Sequence, residues 1–458
     1  MGFSVAFTHV NDAIAWLESQ VSHGIKPGLK RMEWMMEELG HPHRNLKWIH
    51  VAGTNGKGST CAFIESVLRR GGFDTGMFTS PYITSFQQRI SYNGEPIADV
   101  DLLRLINQVY ALSDQLNQTD LGAPTMFELV TVVSILYFAT IAYPDYVVWE
   151  TGLGGRLDST NIVVPVISVI TSIAMDHTEF LGDTIEAIAA EKAGIIKAGV
   201  PVVTGVQDSE ALNVIRRIAK EKNATLYEAG KHFQTIEIAS GGPAHGDTFQ
   251  FEGIFSTYTP VVSGLIGSYQ KINASIALMT IDVLRQYLAL VVDSEEVIKA
   301  ITDVQWPGRM EWINKEQTLL VDGAHNPQGA QALAQTLFQW PEDRKPFIFL
   351  IAVMGTKDVR GILPSWLPLA SEMIVTTLPV RGGMNAELLN DAMIKERERM
   401  GFDGQVSVRM IADWKEAISQ WKLAVADSGG TGIACGSLYW IADVRRWVKD
   451  GLESSKGW

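Results

Sequence analysis

Short apolar runs rich in Val and Ile alternate along this chain with longer stretches whose apolar residues recur every third or fourth position. The first pattern predicts buried strands and the second predicts helices. Strands are expected at LKWIHVAG, TGMFTS, DYVVWE, VISVITS and VPVVTG, with helices between most of them, including 99–117, 124–142 and 183–196. Regular alternation of this kind implies a mainly parallel sheet covered by helices on both faces. Residues 231–262 break the rhythm. FQTIEIASGGPAHGDTFQFEG is polar, Gly-rich and strand-like, which predicts antiparallel ribbons. Helices are then expected at 268–290 and 294–303. VQWPGRMEW, 304–312, contains Pro307 and Gly308 and reads as a linker. The alternation restarts at TLLVDGA and continues through FIFLIAV, EMIVTT, VSVRMI and GIACG. The fold class expected is therefore α/β in two domains, 1–304 and a smaller one at 305–458.

Length agrees, since 458 residues exceed one ordinary core. Hydrophobic residues make up 46% and charged residues 19%, a globular composition. The net charge of -13, without a long basic run, argues against nucleic acid as the partner. The two cysteines, Cys61 and Cys435, form no disulfide framework, so a reducing cytoplasm is the simplest setting. The N-terminus lacks the basic-then-apolar order of a signal peptide. The most apolar stretch, LVTVVSILYFATIAY at 129–143, is 15 residues long. That falls short of the roughly 20 needed to cross a bilayer, so it is expected as a buried helix and no membrane partner follows.

Chemistry gathers where predicted strands end. VAGTNGKGST, 51–60, joins a strand to a helix through glycines. Such a turn aims backbone N–H groups inward at a helix N-terminus, where phosphate binds. The spacing is a variant of the usual phosphate loop: Gly56 precedes Lys57, Gly58 follows, and the hydroxyls are Ser59 and Thr60. Lys57 would neutralise terminal phosphates, and a hydroxyl beside it can ligate Mg²⁺. VVWETGLGGRLDSTN, 147–161, delivers Glu150 to the same sheet edge, the place where open α/β sheets bind ligands. Glu150 would hold a metal or else cap a helix. The turn after it, with Arg156 and Asp158, would take a second substrate. Farther on, Asp176 and His177 follow a strand, and Lys192 lies in a helix among small apolar residues. His177 would be a metal ligand or a loop residue, and Lys192 would pair with Glu186 or Glu191 if it is ordinary. In the second domain VDGAHNPQG places Asp322, His325 and Asn326 at another strand end, and Arg309 on the linker could reach phosphates.

GTNGKGST, TSPY at 79–82, ETGLGGRLDSTN, DHTEFLG with AEKAGIIK, WPGRME, DGAHNP and GSLYW occur in this order. As a set they resemble the folylpolyglutamate synthase/dihydrofolate synthase family, a branch of the Mur ligases, from about residue 30 to about residue 445. The resemblance implies a P-loop ATPase domain, a Rossmann-like second domain and an active site between them. It implies that Asn55, Gly56, Lys57, Gly58, Ser59 and Thr60 hold ATP phosphates, with Asn273, Arg309 and Asp322 as further ATP contacts. Ser80, Glu150 and His177 match the magnesium positions. His325 and Ser437 match the region receiving L-glutamate, and Phe127, Asp158 and Ser159 match the pterin side. Lys192 matches a lysine that is carbamylated in the family. Lys57, Lys192 and His325 are the implied catalytic residues. Tyr269-Gln270 stands where the family often has His-Gln, and MGTKD at 354–358 is a looser match to a Lys-Asp motif.

The expected activity is an ATP-dependent ligase adding L-glutamate to a reduced folate, to dihydropteroate, or to both, through an acyl phosphate. Its partners are small molecules and the chain is expected as a cytoplasmic monomer. Alternatives are a Mur-type ligase acting on another carboxylate, a kinase, and a non-catalytic P-loop binding module.

Overall fold

The computed structural model describes residues 6–20 and 26–451. The larger sheet holds β1 (Trp48–Ala52), β2 (Thr75–Phe78), β3 (Ile90–Tyr92), β4 (Glu95–Pro96), β5 (Tyr146–Glu150), β6 (Ile167–Ile170), β7 (Val202–Thr204) and β8 (Leu226–Glu228). Their order is β4-β3-β2-β5-β1-β6-β7-β8. β2, β5, β1, β6, β7 and β8 pair in parallel, while β3 and β4 add an antiparallel edge. β1 and β5 are buried along their whole length, so they read as continuous apolar runs instead of alternating ones. Because β1 lies at the centre, the loops leaving β1, β5 and β6 meet at one edge.

The ribbons are β9 (Phe233–Ala239), β10 (Thr248–Gly253) and β11 (Thr257–Val262), an antiparallel three-stranded sheet as the polar, Gly-rich segment implies. The second large sheet holds β12 (Glu311–Trp312), β13 (Leu319–Val321), β14 (Phe347–Ile351), β15 (Ala370–Val375), β16 (Ser407–Met410) and β17 (Thr431–Cys435), in the order β12-β13-β17-β14-β15-β16. The stretch expected as a linker thus ends in a strand. Glu311 and Trp312 pair antiparallel with β13 and carry Arg309 to the edge of the second sheet.

The apolar stretch after residue 125 forms a buried helix, Met126–Tyr137, and continues as a π-turn through Ala142. Thr125 and Glu128 close a capping box at its start. Glu128 also receives Arg31 at 2.8 Å, which compensates the burial of its charge. No helix among the described residues is long and apolar enough to cross a membrane.

Candidate active site

The loop after β1 is built on two glycines. Gly53 has φ 156°, and a Cβ there would lie 1.9 Å from the Thr171 hydroxyl. Gly56 has φ 83°, and a Cβ there would lie 2.3 Å from Asn273 Oδ1. Side chains from the residue after β6 and from the helix Gln270–Leu288 therefore occupy the space that the glycines leave. Thr171 and Ser172 hydroxyls donate to the Asn55 carbonyl at 2.7 and 3.0 Å, which fixes the loop on the next strand. The helix Lys57–Arg70 starts directly after it, so its free N–H groups face the loop.

Two amines converge on one carbonyl. Lys57 Nζ donates to the oxygens of Gly53 and Thr54 at 3.1 and 3.4 Å, and Lys192 Nζ donates to Gly53 at 2.9 Å. Lys192 is buried, and burial together with the charge of Lys57 pushes its pKa down to about 7. It does not pair with the neighbouring glutamate, because Glu191 is bound by Arg156 at 2.6 Å.

Glu150, at the end of β5, is buried and accepts the Ser80 N–H at 3.1 Å. Burial raises its pKa, opposed by Lys57, the Ser80 N–H, Arg309 and Arg89. Ser80 Oγ accepts from Arg89 at 3.1 Å. Ser59 Oγ, in the first turn of the helix Lys57–Arg70 and in the same cavity lining as Glu150, is buried without a hydrogen-bond partner among the described residues. A buried carboxylate and an unpartnered hydroxyl beside a phosphate cradle suit magnesium, which takes few protein oxygens and completes its shell with phosphate and water. Among the described residues no group of three or more His, Cys, Asp and Glu is placed to hold a metal ion. His177 is half exposed, and burial and then Lys357 push its pKa down to about 4, leaving a neutral imidazole.

The second domain completes the cavity. Asp322, at the end of β13, accepts from Tyr269 Oη and Met310 N, both at 3.0 Å, and from Ala324 N at 2.9 Å. Arg309 packs where Gly323 lacks a side chain. His325 Nδ1 donates to the Gly323 oxygen at 2.7 Å and turns Nε2 toward Asp176. Asn326 caps the helix Pro327–Phe338 and meets the Asn55 amide of the phosphate loop at 3.0 Å. Ser437 caps the helix Leu438–Arg445. Together these walls enclose a cavity of about 910 Å³ lined from both large sheets.

The cavity brings together Asn55, Gly56, Lys57, Gly58, Ser59, Ser80, Glu150, His177, Lys192, Asn273, Arg309, Asp322, His325 and Ser437. Four expected residues lie outside its lining. Thr60 sits roughly a quarter-turn round the helix from Ser59 and is buried in the core. Phe127, Asp158 and Ser159 are next to the lining, which here is Gly152, Leu153 and Gly154. The Phe127 ring fills the place of a Cβ at Gly152, and Asp158 accepts from Leu153 N at 2.7 Å. Sequence reasoning did not assign Lys357, whose ammonium meets Asp176 at 2.6 Å in the cavity wall. The Lys-Asp pair in MGTKD was its signal. Tyr269 was noted as a departure and is a ligand of Asp322.

Two family models match this architecture: the Mur ligase middle domain over residues 51–281 and the Mur ligase glutamate ligase domain over residues 308–438. The fold and the two-sided cavity are thus those of a Mur ligase. Within that class, a dihydrofolate synthase/folylpolyglutamate synthase of Bacillus subtilis (strain 168) is 37% identical over 444 residues, spanning 97% of this chain and 100% of that protein. A folylpolyglutamate synthase of Lacticaseibacillus casei is 32% identical over 424 residues, 92% of this chain and 94% of that one. The crystal structure of Mycobacterium tuberculosis folylpolyglutamate synthase complexed with ADP and AMPPCP superposes with a TM-score of 0.87 at 29% identity, covering 97% of this chain and 100% of that one. The chain belongs to the dihydrofolate synthase/folylpolyglutamate synthase family.

Proposed function

We propose that this chain is an ATP-dependent ligase that joins L-glutamate to a reduced folate and, by the same chemistry, to dihydropteroate. One observation carries the reading: a single cavity is lined by the phosphate loop and Glu150 from one large sheet and by Asp322, His325 and Ser437 from the other. Two-sided lining suits a reaction in which an activated acid must meet an amine away from water. The names of the relatives support it, since one is called both synthases and another folylpolyglutamate synthase alone. The domain division at 304/305, a cytoplasmic setting and a monomeric state belong to the same reading.

A carboxylate resists amine attack because its oxygen leaves poorly. In the proposed sequence the substrate carboxylate oxygen attacks the γ-phosphorus of ATP, the bond to ADP breaks, and an acyl phosphate forms. The α-amine of glutamate then attacks the carbonyl carbon, loses a proton and expels phosphate. Lys57 and the N-terminus of its helix take the γ-phosphate charge, and Arg309 adds a second cation from the other domain. Asn273 and Asp322 orient the nucleotide. His325 and Ser437 receive glutamate. Glu150, Ser80 and His177 are the residues we assign to magnesium, which when bound spreads phosphate charge, with Ser59 as a further oxygen donor.

Lys192 takes a different part. Its neutral amine can add to the carbon of carbon dioxide and lose a proton, giving a carbamate. That exchanges a cation beside Lys57 for an anion that positions Lys57 and the phosphates. The support is its burial, its lowered pKa and the absence of a carboxylate partner among its described contacts.

The test is phosphate release and incorporation of labelled glutamate, with dihydropteroate and tetrahydrofolate measured side by side. Release that requires both glutamate and a pteroyl acid is expected. A phosphorylated product accumulating without glutamate would instead make the protein a kinase.

A further inference from the structure

His50 is the one ionisable side chain of β1, and no step above uses it. It is buried completely in the central strand of the larger sheet, where an aliphatic residue would fill the space without polar atoms. Its Nε2 lies 3.0 Å from the Thr160 hydroxyl. That hydroxyl donates its single proton to Asp158 Oδ1, so it must accept from His50, which places the imidazole proton on Nε2. Nδ1 is then a bare acceptor, and it has no partner among the described residues. Burial, and then the charge of Lys197, push the His50 pKa down to about 3, in keeping with a neutral ring.

Thr160 is pinned from three sides. Its hydroxyl meets His50 and its carbonyl accepts Trp149 Nε1 at 3.0 Å. Its N–H donates to Asp158 Oδ1 at 3.0 Å. The other Asp158 oxygen accepts Leu153 N at 2.7 Å, and Gly152, Leu153 and Gly154 form the cavity wall. A chain of hydrogen bonds therefore runs from the central strand, which also launches the phosphate loop, to the loop that faces the second substrate.

We propose that His50 is a positioning residue for the acid substrate: through Thr160 and Asp158 it sets where the Gly152–Gly154 wall stands relative to the phosphate loop. This rests on the reading that the wall faces the pteroyl acid, and the test separates the two. Its first arm needs no substrate. Amide hydrogen exchange at Leu153 and Thr160 is compared in wild type, His50→Leu and Thr160→Val, the last an isosteric change that stays informative if the histidine variant folds poorly. Faster exchange at both amides in the variants is expected, and unchanged exchange overturns the proposal.

The second arm is kinetic. Losing one link should raise KM for the pteroyl acid by about tenfold, the size of one buried hydrogen bond, with kcat and KM for ATP changed less than about twofold. His50→Gln keeps an N–H near the Nε2 position and should restore KM. The double variant should be no worse than the poorer single one, because both cut the same chain. An equal rise in KM for ATP, or His50→Gln as impaired as His50→Leu, overturns the positioning role. If the ligase reading itself is wrong, wild type shows no pteroyl-dependent phosphate release while the exchange result still decides the pinning.

Discussion

At the scale of single residues, the two lysines on the Gly53 carbonyl have opposite tasks. In the proposed mechanism Lys57 leaves that carbonyl for the γ-phosphate. Lys57→Ala is expected to lower kcat by about 10²–10³-fold, the usual loss when one preorganised donor is removed from such a site. Phosphate-release assays check it, and near-normal turnover would remove the phosphate-loop assignment. Lys192 contributes no favourable charge in the apo protein. The unfolded chain holds its proton up to about 10.4, whereas the folded chain releases it near 7. Between those values the unfolded state binds more protons, so this residue makes stability rise with pH. Lys192→Met should therefore raise Tm at pH 7 while abolishing ligase activity, and the Tm gain should shrink toward pH 10. A fall in both would mean that the ammonium supports the fold. Most of these residues were legible in the sequence because each follows a strand end. Lys57, Glu150, Asp322 and His325 could be placed at ligand-facing edges from alternation alone. Their magnesium, pterin and glutamate roles came from the resemblance and not from pattern.

At the scale of elements, the parallel sheets were legible because buried strands leave continuous apolar runs, and the ribbon insertion because its composition breaks the rhythm. What pattern could not supply is which element fills a gap left by a glycine. Gly56 is readable as a loop residue, yet its tight neighbour is Asn273, more than two hundred positions away in the chain. β12 was missed for a related reason. Two residues are too few for a period, and pairing with β13 alone makes them a strand. The same distance hid the wall: pattern did not show that the Phe127 ring lies against Gly152 or that Asp158 accepts from Leu153 N. The Gly56 contact yields a test at this scale. Gly56→Ala forces a Cβ at φ 83° to within 2.3 Å of Asn273 Oδ1, so the loop and the helix Gln270–Leu288 must part. Calorimetry should show ADP affinity falling by about tenfold, since left-handed strain alone costs about 1–2 kcal/mol and about 1.4 kcal/mol is tenfold. The Tm of Gly56→Ala should fall as well, and Asn273→Ala, which removes the contact, should restore part of that Tm, the readout used because Asn273 itself faces the nucleotide; no recovery of Tm would show that the strain and not the contact is responsible.

At the scale of the whole molecule, the two large sheets are tied across the cavity by polar contacts that meet at its centre. Asn55 Nδ2 donates to Asn326 Oδ1 and Gln328 Oε1 at 3.1 and 2.7 Å, Tyr269 reaches Asp322, and Asp176 receives both Lys357 and Asn326. The Asp176–Lys357 pair is the strongest of these, at 2.6 Å with both side chains 9% exposed. Burial works against ionisation of Asp176, but the hydrogen bond and charge of His325, and then Lys357, hold its carboxyl far below the usual range. Removing one partner from such a pair leaves a buried charge uncompensated, which typically costs about 3–5 kcal/mol. Each sheet has its own hydrophobic core, so separation of the halves relieves that charge at less cost than unfolding. Lys357→Met should therefore open the cavity. X-ray scattering of the ligand-free protein should show a radius of gyration above the roughly 23 Å of a compact chain this long, with helix content unchanged. Asp176→Asn in the same chain removes the stranded charge and should bring the radius back. Because the folded Asp176 pKa is depressed, its contribution is complete above the ordinary value of about 3.9 and fades only as pH falls through the folded value. The wild-type radius should then hold constant from pH 8 to about pH 5. A Lys357→Met protein with an unchanged radius would show that the halves are held by packing and that the ion pair only fills the cavity wall.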